Sequence, residues 1–209
     1  MDKAAALRCL KEVDFARIRT AAYAMKDDFK YTTRTFNWGP VIDGTFLRET
    51  LTEAVSGGRI DIDVAWATFN QHEGETFVPP GLRTANSTTA GGGYNSSEAS
   101  FDGWLRGYLP GFTDADIADV KALYPGVGST DTAAYGTTYE RAGAIYRDSV
   151  LSCAGFWVAG AARRAGYLSE YARLPATHAD DTKWVSGCLV SSLALRESVC
   201  VFVWMLTAM

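Results

Sequence analysis

Only two histidines, His72 and His178, occur in the 209 residues, and the four cysteines at positions 9, 153, 188 and 200 show no Cys-x-x-Cys or Cys/His spacing. A structural zinc site is therefore not expected, because tetrahedral zinc takes four such ligands at short paired intervals. Disulfides stay open, with no pairing readable from the sequence. Positive charge is not in excess: 20 Lys and Arg against 24 Asp and Glu leave a net charge of −4. With no basic stripe to neutralise phosphates, nucleic acid is not an expected partner. No apolar run reaches the roughly 20 residues of a bilayer-spanning helix. The densest run, Val199 to Leu206, contains Cys200, Phe202 and Trp204 and is far too short. Residues 1–25 carry Asp2, Lys3, Arg8, Lys11, Glu12, Asp14, Arg17 and Arg19, a charge density foreign to a secretory signal peptide. They read instead as one or two amphipathic helices.

The chain does have ample apolar material. A hydrophobic content of 47% suffices for a sizeable core, and the length suits one domain or two small ones. The run Val64-Ala65-Trp66-Ala67-Thr68-Phe69 is continuously apolar or β-prone between Asp61-Ile62-Asp63 and the turn ending in Gly74. This predicts a parallel strand covered on both faces. It delivers Glu73 just beyond its carboxyl end, where chemistry gathers in open α/β sheets. Far downstream, Pro175-Ala176-Thr177-His178 places a histidine in a loop. An acid followed much later by a histidine fits the second and third members of a Ser, acid, His triad in α/β-hydrolase order. His72, beside the acid, reads as a solvated turn residue.

Between these two points the chain turns helical. Phe101, Trp104, Leu105, Tyr108 and Leu109 share one helical face, which Pro110-Gly111 ends. Thr113 and Asp116 resemble a capping box for a helix through Ile117 to Leu123. Thr137 and Glu140 open a long apolar helix predicted to reach a Gly166 cap, with a break near Asp148 and with Tyr139, Tyr146, Phe156 and Trp157 in the core. Arg163-Arg164 would complement the dipole in its last turn. The Thr/Ser/Gly-rich stretch 84–97 holds two N-glycosylation sequons, Asn86-Ser87-Thr88 and Asn95-Ser96-Ser97, which hint at secretion, although such loops generate these triplets by chance.

Three segments together resemble the type-B carboxylesterase/lipase family, the cholinesterase-like branch of the α/β-hydrolases. Gly39-Pro40-Val41-Ile42-Asp43-Gly44-Thr45-Phe46-Leu47 is similar to the family's P-V-x-D-G-x-F-L segment, and Asn70-Gln71-His72-Glu73-Gly74-Glu75-Thr76-Phe77 to its N-x-D-E-G-x-x-F segment. In the block from Ala142 to His178, Tyr146-Arg147-Asp148, Cys153 and Tyr171 precede the Pro175–His178 loop as in the family. The resemblance implies a mostly parallel sheet with flanking helices, incomplete because only the C-terminal half of the fold is covered. It makes Glu73 the triad acid and His178 the general base, acting on a carboxylic ester or acylglycerol with no metal or organic cofactor. It also implies an extracellular family, and Cys9-Leu10-Lys11 is similar to the family's C-L-R segment, with the usual partner of Cys9 lying upstream.

The departures from the family bear on activity. No G-x-S-x-G occurs; Gly126-Val127-Gly128-Ser129-Thr130 has the wrong glycine spacing, and Gly91-Gly92-Gly93 reads as a flexible spacer in preference to an oxyanion loop. His72 stands where the family has Asp. Residues 1–184 are expected to form the partial hydrolase domain and 185–209 a non-family apolar tail, as if translation had run into an intron. A GPI-type signal at Ser186-Gly187 is disfavoured by the apolar stretch Leu189 to Leu195. The chain alone is thus expected to be inactive, a truncated esterase or, alternatively, a non-catalytic cholinesterase-like binding module. Oligomeric state is not legible in the sequence.

Overall fold

The computed structural model describes residues 2–24, 40–86, 88, 92–131, 135–182 and 202–204. Helices α1 (Lys3–Glu12) and α2 (Phe15–Ala24) form at the amino end as the charge pattern predicts. Neither buries a residue, and Leu7, Leu10, Phe15 and Tyr23 stay exposed. Helix α3 (Leu51–Ser56) starts at a capping box in which Thr50 and Glu53 satisfy each other's backbone N–H groups.

Strand β1 (Val64–Asn70) pairs in parallel with β2 (Ala165–Tyr171), in register from Val64 opposite Ala165 to Asn70 opposite Tyr171. A short β3 (Phe202–Trp204) adds antiparallel to the other edge of β2. Mixed helix with a small parallel pair is compatible with part of an α/β fold. β1 is parallel as expected, but among the described residues only one of its faces is covered along its whole length, the other being covered at Thr68 and Asn70 alone. Helix α7 (Cys153–Gly160) packs on the first of these faces, with the Phe156 ring 6.0 Å from Phe69 and a close approach at Gly155, where an added Cβ would meet the Ala67 Cβ at 3.1 Å. On the opposite face Val64 and Trp66 are 57% and 60% exposed. The period-2 alternation of a strand puts them together on that side.

The predicted long helix ends early. Helix α6 (Thr138–Tyr146) runs into one wide π turn, Arg147–Ser152, and then into α7, which stops at Gly160. Gly166 is no helix cap. It lies inside β2, where any Cβ would sit 1.9 Å from the Ala159 carbonyl oxygen, so its smallness lets α7 and β2 meet backbone to backbone. Arg163 likewise lies past the helix and pairs with Asp61 at 2.5 Å and Asp63 at 2.7 Å. The predicted break at Asp148 is a widened turn in a continuous helix. Its carboxylate accepts hydrogen bonds from Arg147 Nε (2.7 Å), Tyr124 Oη (2.7 Å) and Ser152 Oγ (2.9 Å). Burial alone would raise the Asp148 carboxyl, but these donors prevail and hold it below the ordinary aspartate value.

The core lies beside the sheet. Phe101, Trp104 and Leu105 of α4 (Glu98–Tyr108), Ile117 of α5 (Asp114–Leu123), and Tyr139, Ala142, Ile145 and Tyr146 of α6 close over Phe77, Val78 and Leu82. Both expected cap residues, Thr113 and Thr137, are in place. Phe156 and Trp157 are 45% and 39% exposed, so they are not the core residues that apolar patterning suggested. Arg141, only 1% exposed, spans the core, lying 4.0 Å over the Phe101 ring and donating to Glu98 and to the Tyr124 carbonyl.

Candidate active site

Glu73 enters the site from the carboxyl end of β1 on a short 3₁₀ turn, Glu73–Phe77. The turn is held on several sides. The Asn70 N–H donates to Glu73 Oε2 at 2.9 Å, Arg147 Nη1 donates to the Gln71 carbonyl at 2.9 Å, and the Tyr139 hydroxyl donates to the Glu75 carbonyl. Gly74 lets the turn lie directly on α6: a Cβ there would fall 1.9 Å from the Gly143 oxygen and 2.5 Å from the Arg147 nitrogen.

The histidine loop follows β2 and packs back on the same turn. Tyr171 O accepts the Gln71 N–H at 3.0 Å and Ala176 O accepts the His72 N–H at 2.9 Å, continuing the ladder past the strands. Leu174-Pro175 is cis, and Ala176 and Ala179 have φ of 51° and 69°, a region that costs a non-glycine residue roughly 1 kcal/mol or more. Local bonds hold these values: Asp180 Oδ2 accepts the Thr177 N–H at 2.8 Å and the Thr177 hydroxyl at 2.9 Å. Asn70 Nδ2 reaches across to Thr177 O at 2.8 Å.

The result is a contact between two residues far apart in sequence. His178 Nδ1 lies 2.7 Å from Glu73 Oε1, with the side chains 41% and 10% exposed. The Phe77 ring meets the imidazole edge-on at 4.8 Å and is itself stacked on Tyr146 at 5.0 Å, which fixes the ring's plane. A carboxylate only accepts, so it selects the tautomer with the proton on Nδ1 and leaves the Nε2 lone pair for a proton from another group. Chemically this is an oriented base. Among the described residues no serine hydroxyl bonds to His178. Ser129 sits in an exposed turn and donates to Gly126 O at 2.5 Å.

His72 is not the solvated turn residue that its position suggested. Its Nδ1 lies 2.6 Å from Glu75 Oε1 and the ring is 28% exposed, a second imidazole–carboxylate pair on the same turn. This pair borders a cavity of about 460 Å³ with Tyr124, Tyr135, Arg147 and Glu170, and neither Glu73 nor His178 lines it. No group of acidic, histidine and cysteine side chains able to hold a metal ion occurs among the described residues. None of the described helices is long and apolar enough to cross a membrane.

Several sequence expectations fall outside the described residues, wholly or in part: Ser87 of the first sequon, Gly91, Cys188, Cys200, the Ser186-Gly187 pair and most of the 185–209 tail. Cys9 and Cys153 are free thiols. In the second sequon the Asn95 side-chain oxygen accepts the Ser97 N–H at 3.0 Å and its hydroxyl at 2.6 Å, and Ser97 caps α4. Sequence reasoning passed over Asn70, Asp180 and Asp181. The Thr177-x-x-Asp180 spacing was a readable signal, since Thr-x-x-Asp is the pattern of a capping turn.

No family model matches the chain. Over 168 residues it is 26% identical to secreted lipase 4 of Gibberella zeae, a match covering 78% of this chain and 28% of that lipase. The relationship is lipase-like over that stretch, and the chain spans little more than a quarter of the relative's length.

Proposed function

We propose that this chain carries the acid and histidine of a serine carboxylic-ester hydrolase of the type-B carboxylesterase/lipase kind, as its C-terminal portion. The observation that carries the reading is the 2.7 Å contact between Glu73 and His178, formed across 105 residues at the carboxyl ends of two parallel strands. In this reading Glu73 orients the imidazole and stabilises its charged form, while Nε2 of His178 takes the proton of an attacking serine and returns it to the leaving alcohol. The substrate is a carboxylic ester or acylglycerol, and similarity to a secreted lipase supports both this class and an extracellular setting.

Residues 1–209 hold no G-x-S-x-G, so the serine and its oxyanion donors are supplied from outside this sequence. Loss of a single oxyanion donor costs about 10²-fold or more, and without the serine there is no acyl-enzyme route. In this reading residues 1–184 are the hydrolase portion, and of the tail 185–209 the short β3 adds to its sheet beside β2.

The test is a serine-directed fluorophosphonate probe together with p-nitrophenyl ester hydrolysis. The 209-residue chain is expected neither to label nor to turn over ester. The product of the native transcript is expected to encode G-x-S-x-G in frame, to label, and to lose about 10³-fold or more in kcat on His178→Gln. Labelling of Ser129, or a longer active product indifferent to His178→Gln and Glu73→Gln, would refute the assignment. A longer product that labels nowhere but retains a specific protein partner would favour a non-catalytic binding module.

A further inference from the structure

Asn70 is completely buried, and its amide lies where the acid turn and the histidine loop meet. Its Nδ2 donates to Thr177 O at 2.8 Å and to Asp181 Oδ1 at 3.3 Å, while its backbone N–H donates to Glu73 Oε2 at 2.9 Å. One residue therefore bonds the acid with its main chain and the histidine loop with its side chain. Asp181 is fixed independently, since its Oδ2 accepts the Thr68 hydroxyl at 2.9 Å from β1. The two acceptors facing Nδ2 settle the amide's orientation: the reverse rotamer would set an oxygen against a carbonyl and a carboxylate. Asn70 Oδ1 is then buried with no hydrogen-bond partner among the described residues, a cost accepted in placing Nδ2 against Thr177 O.

We infer that Asn70 is a positioning residue for His178. Its amide sets the height of the Thr177–His178 segment above the end of β1, so that Nδ1 meets Glu73 Oε1. This rests on the reading of Glu73 and His178 as a working pair and deepens it. Two of the loop's residues, Ala176 and Ala179, hold left-handed backbone, so the loop has a local preference to relax elsewhere. The Asn70 bond to the carbonyl between them opposes that relaxation. Hydrophobic packing alone does not set the height, because His178 is 41% exposed and only Phe77 among the described residues stacks against it.

The signature is the far-downfield proton resonance of an imidazole N–H held by a carboxylate, assigned to His178 in the full chain by its loss in His178→Gln. Asn70→Asp sets an anion against Thr177 O and Asp181, and is expected to abolish the resonance while the Trp104 indole signal of the buried core persists. Asn70→Asp combined with Asp181→Asn restores a donor–acceptor pair between the two side chains and is expected to recover part of the resonance. The unsubstituted chain supplies a second measurement, in which the Asn70 side-chain amide protons exchange with solvent far more slowly than those of an exposed asparagine. A resonance unchanged in Asn70→Asp, or Asn70 amide protons exchanging as if free, would overturn the positioning role alone. No such resonance in the unsubstituted chain would overturn the Glu73–His178 pair itself, and with it the function proposed above.

Discussion

Gly74→Ala is the sharpest test of how the acid is held. The added Cβ would start 1.9 Å from the Gly143 oxygen and 2.5 Å from the Arg147 nitrogen, both of them backbone atoms of one continuous helix. Neither can rotate away as a side-chain tip would. To reach the 3.0 Å floor for such contacts, the turn must retreat from α6 by about 1 Å. Overpacking of this sort costs about 1–3 kcal/mol, and two fixed contacts place it at the upper end. For a chain of this size 3 kcal/mol corresponds to a fall in Tm of about 6–12 °C. The same retreat would stretch the 2.7 Å Glu73–His178 bond beyond hydrogen-bonding distance. Thermal melts by circular dichroism measure the first effect, and the His178 N–H resonance the second. Gly103→Ala is the matched control: it lies within α4, where an added Cβ would meet nothing within 4 Å, and should stabilise by about 0.5–1 kcal/mol. If Gly74→Ala melted within about 1 °C of the unsubstituted chain with the resonance intact, the close approach of the turn to α6 would not exist.

Two further predictions concern the framework. Arg141→Met keeps most of the volume over Phe101 but leaves the Tyr124 carbonyl without its donor, for an expected loss of about 1–2 kcal/mol, while Arg141→Ala adds a cavity and should cost about 3 kcal/mol; equal losses in urea unfolding would show that packing over Phe101 contributes nothing. Because the Asp148 carboxyl is held below its ordinary value, its stabilisation is present above the unfolded aspartate value and is lost as pH falls through the lower folded one. Asp148→Asn should therefore lower Tm at neutral pH and flatten the acid side of the Tm–pH profile, and an unchanged acid limb would refute the role of Arg147, Tyr124 and Ser152 as its donors.

What the sequence made legible was local. Thr113 with Asp116, Thr137 with Glu140 and the apolar spacing from Phe101 to Tyr108 are contacts within one or two turns, and each helix formed where its caps lay. Val64 to Phe69 was legible as a strand because an apolar run of that length has few other uses. Gly166 was misread because a glycine after an apolar helix has two meanings, a left-handed cap or a close backbone crossing. Only the position of Ala159 in space decides between them. Ala165 to Tyr171 gave no strand signal of its own, its pattern being set by β1 on one side and α7 on the other. His72 was misplaced for the same reason: its partner Glu75 is nearby in sequence, but the 3₁₀ turn that brings them together depends on packing against α6.

The two imidazole–carboxylate pairs on this turn invite the question of why one reads as the working pair. Distance does not separate them, at 2.6 Å for His72 with Glu75 and 2.7 Å for His178 with Glu73. Origin does. His72 and Glu75 are three residues apart, and one 3₁₀ turn packed on α6 is enough to bring them together. His178 meets Glu73 only because β1 and β2 run in parallel and in register, so that both carboxyl ends open on the same side, and because a loop with two left-handed alanines bends back over them. In the proposed reading, the backbone strain held by the surrounding hydrogen bonds is retained for the geometry of the pair. If that is so, removing the strain at its source should stabilise the chain and keep the pair. Ala179→Gly takes φ 69° without the penalty and touches no named contact, so it should hold or raise Tm with the His178 N–H resonance intact. A clear fall in Tm, or loss of the resonance, would mean that the left-handed alanine is not a strained element of the loop.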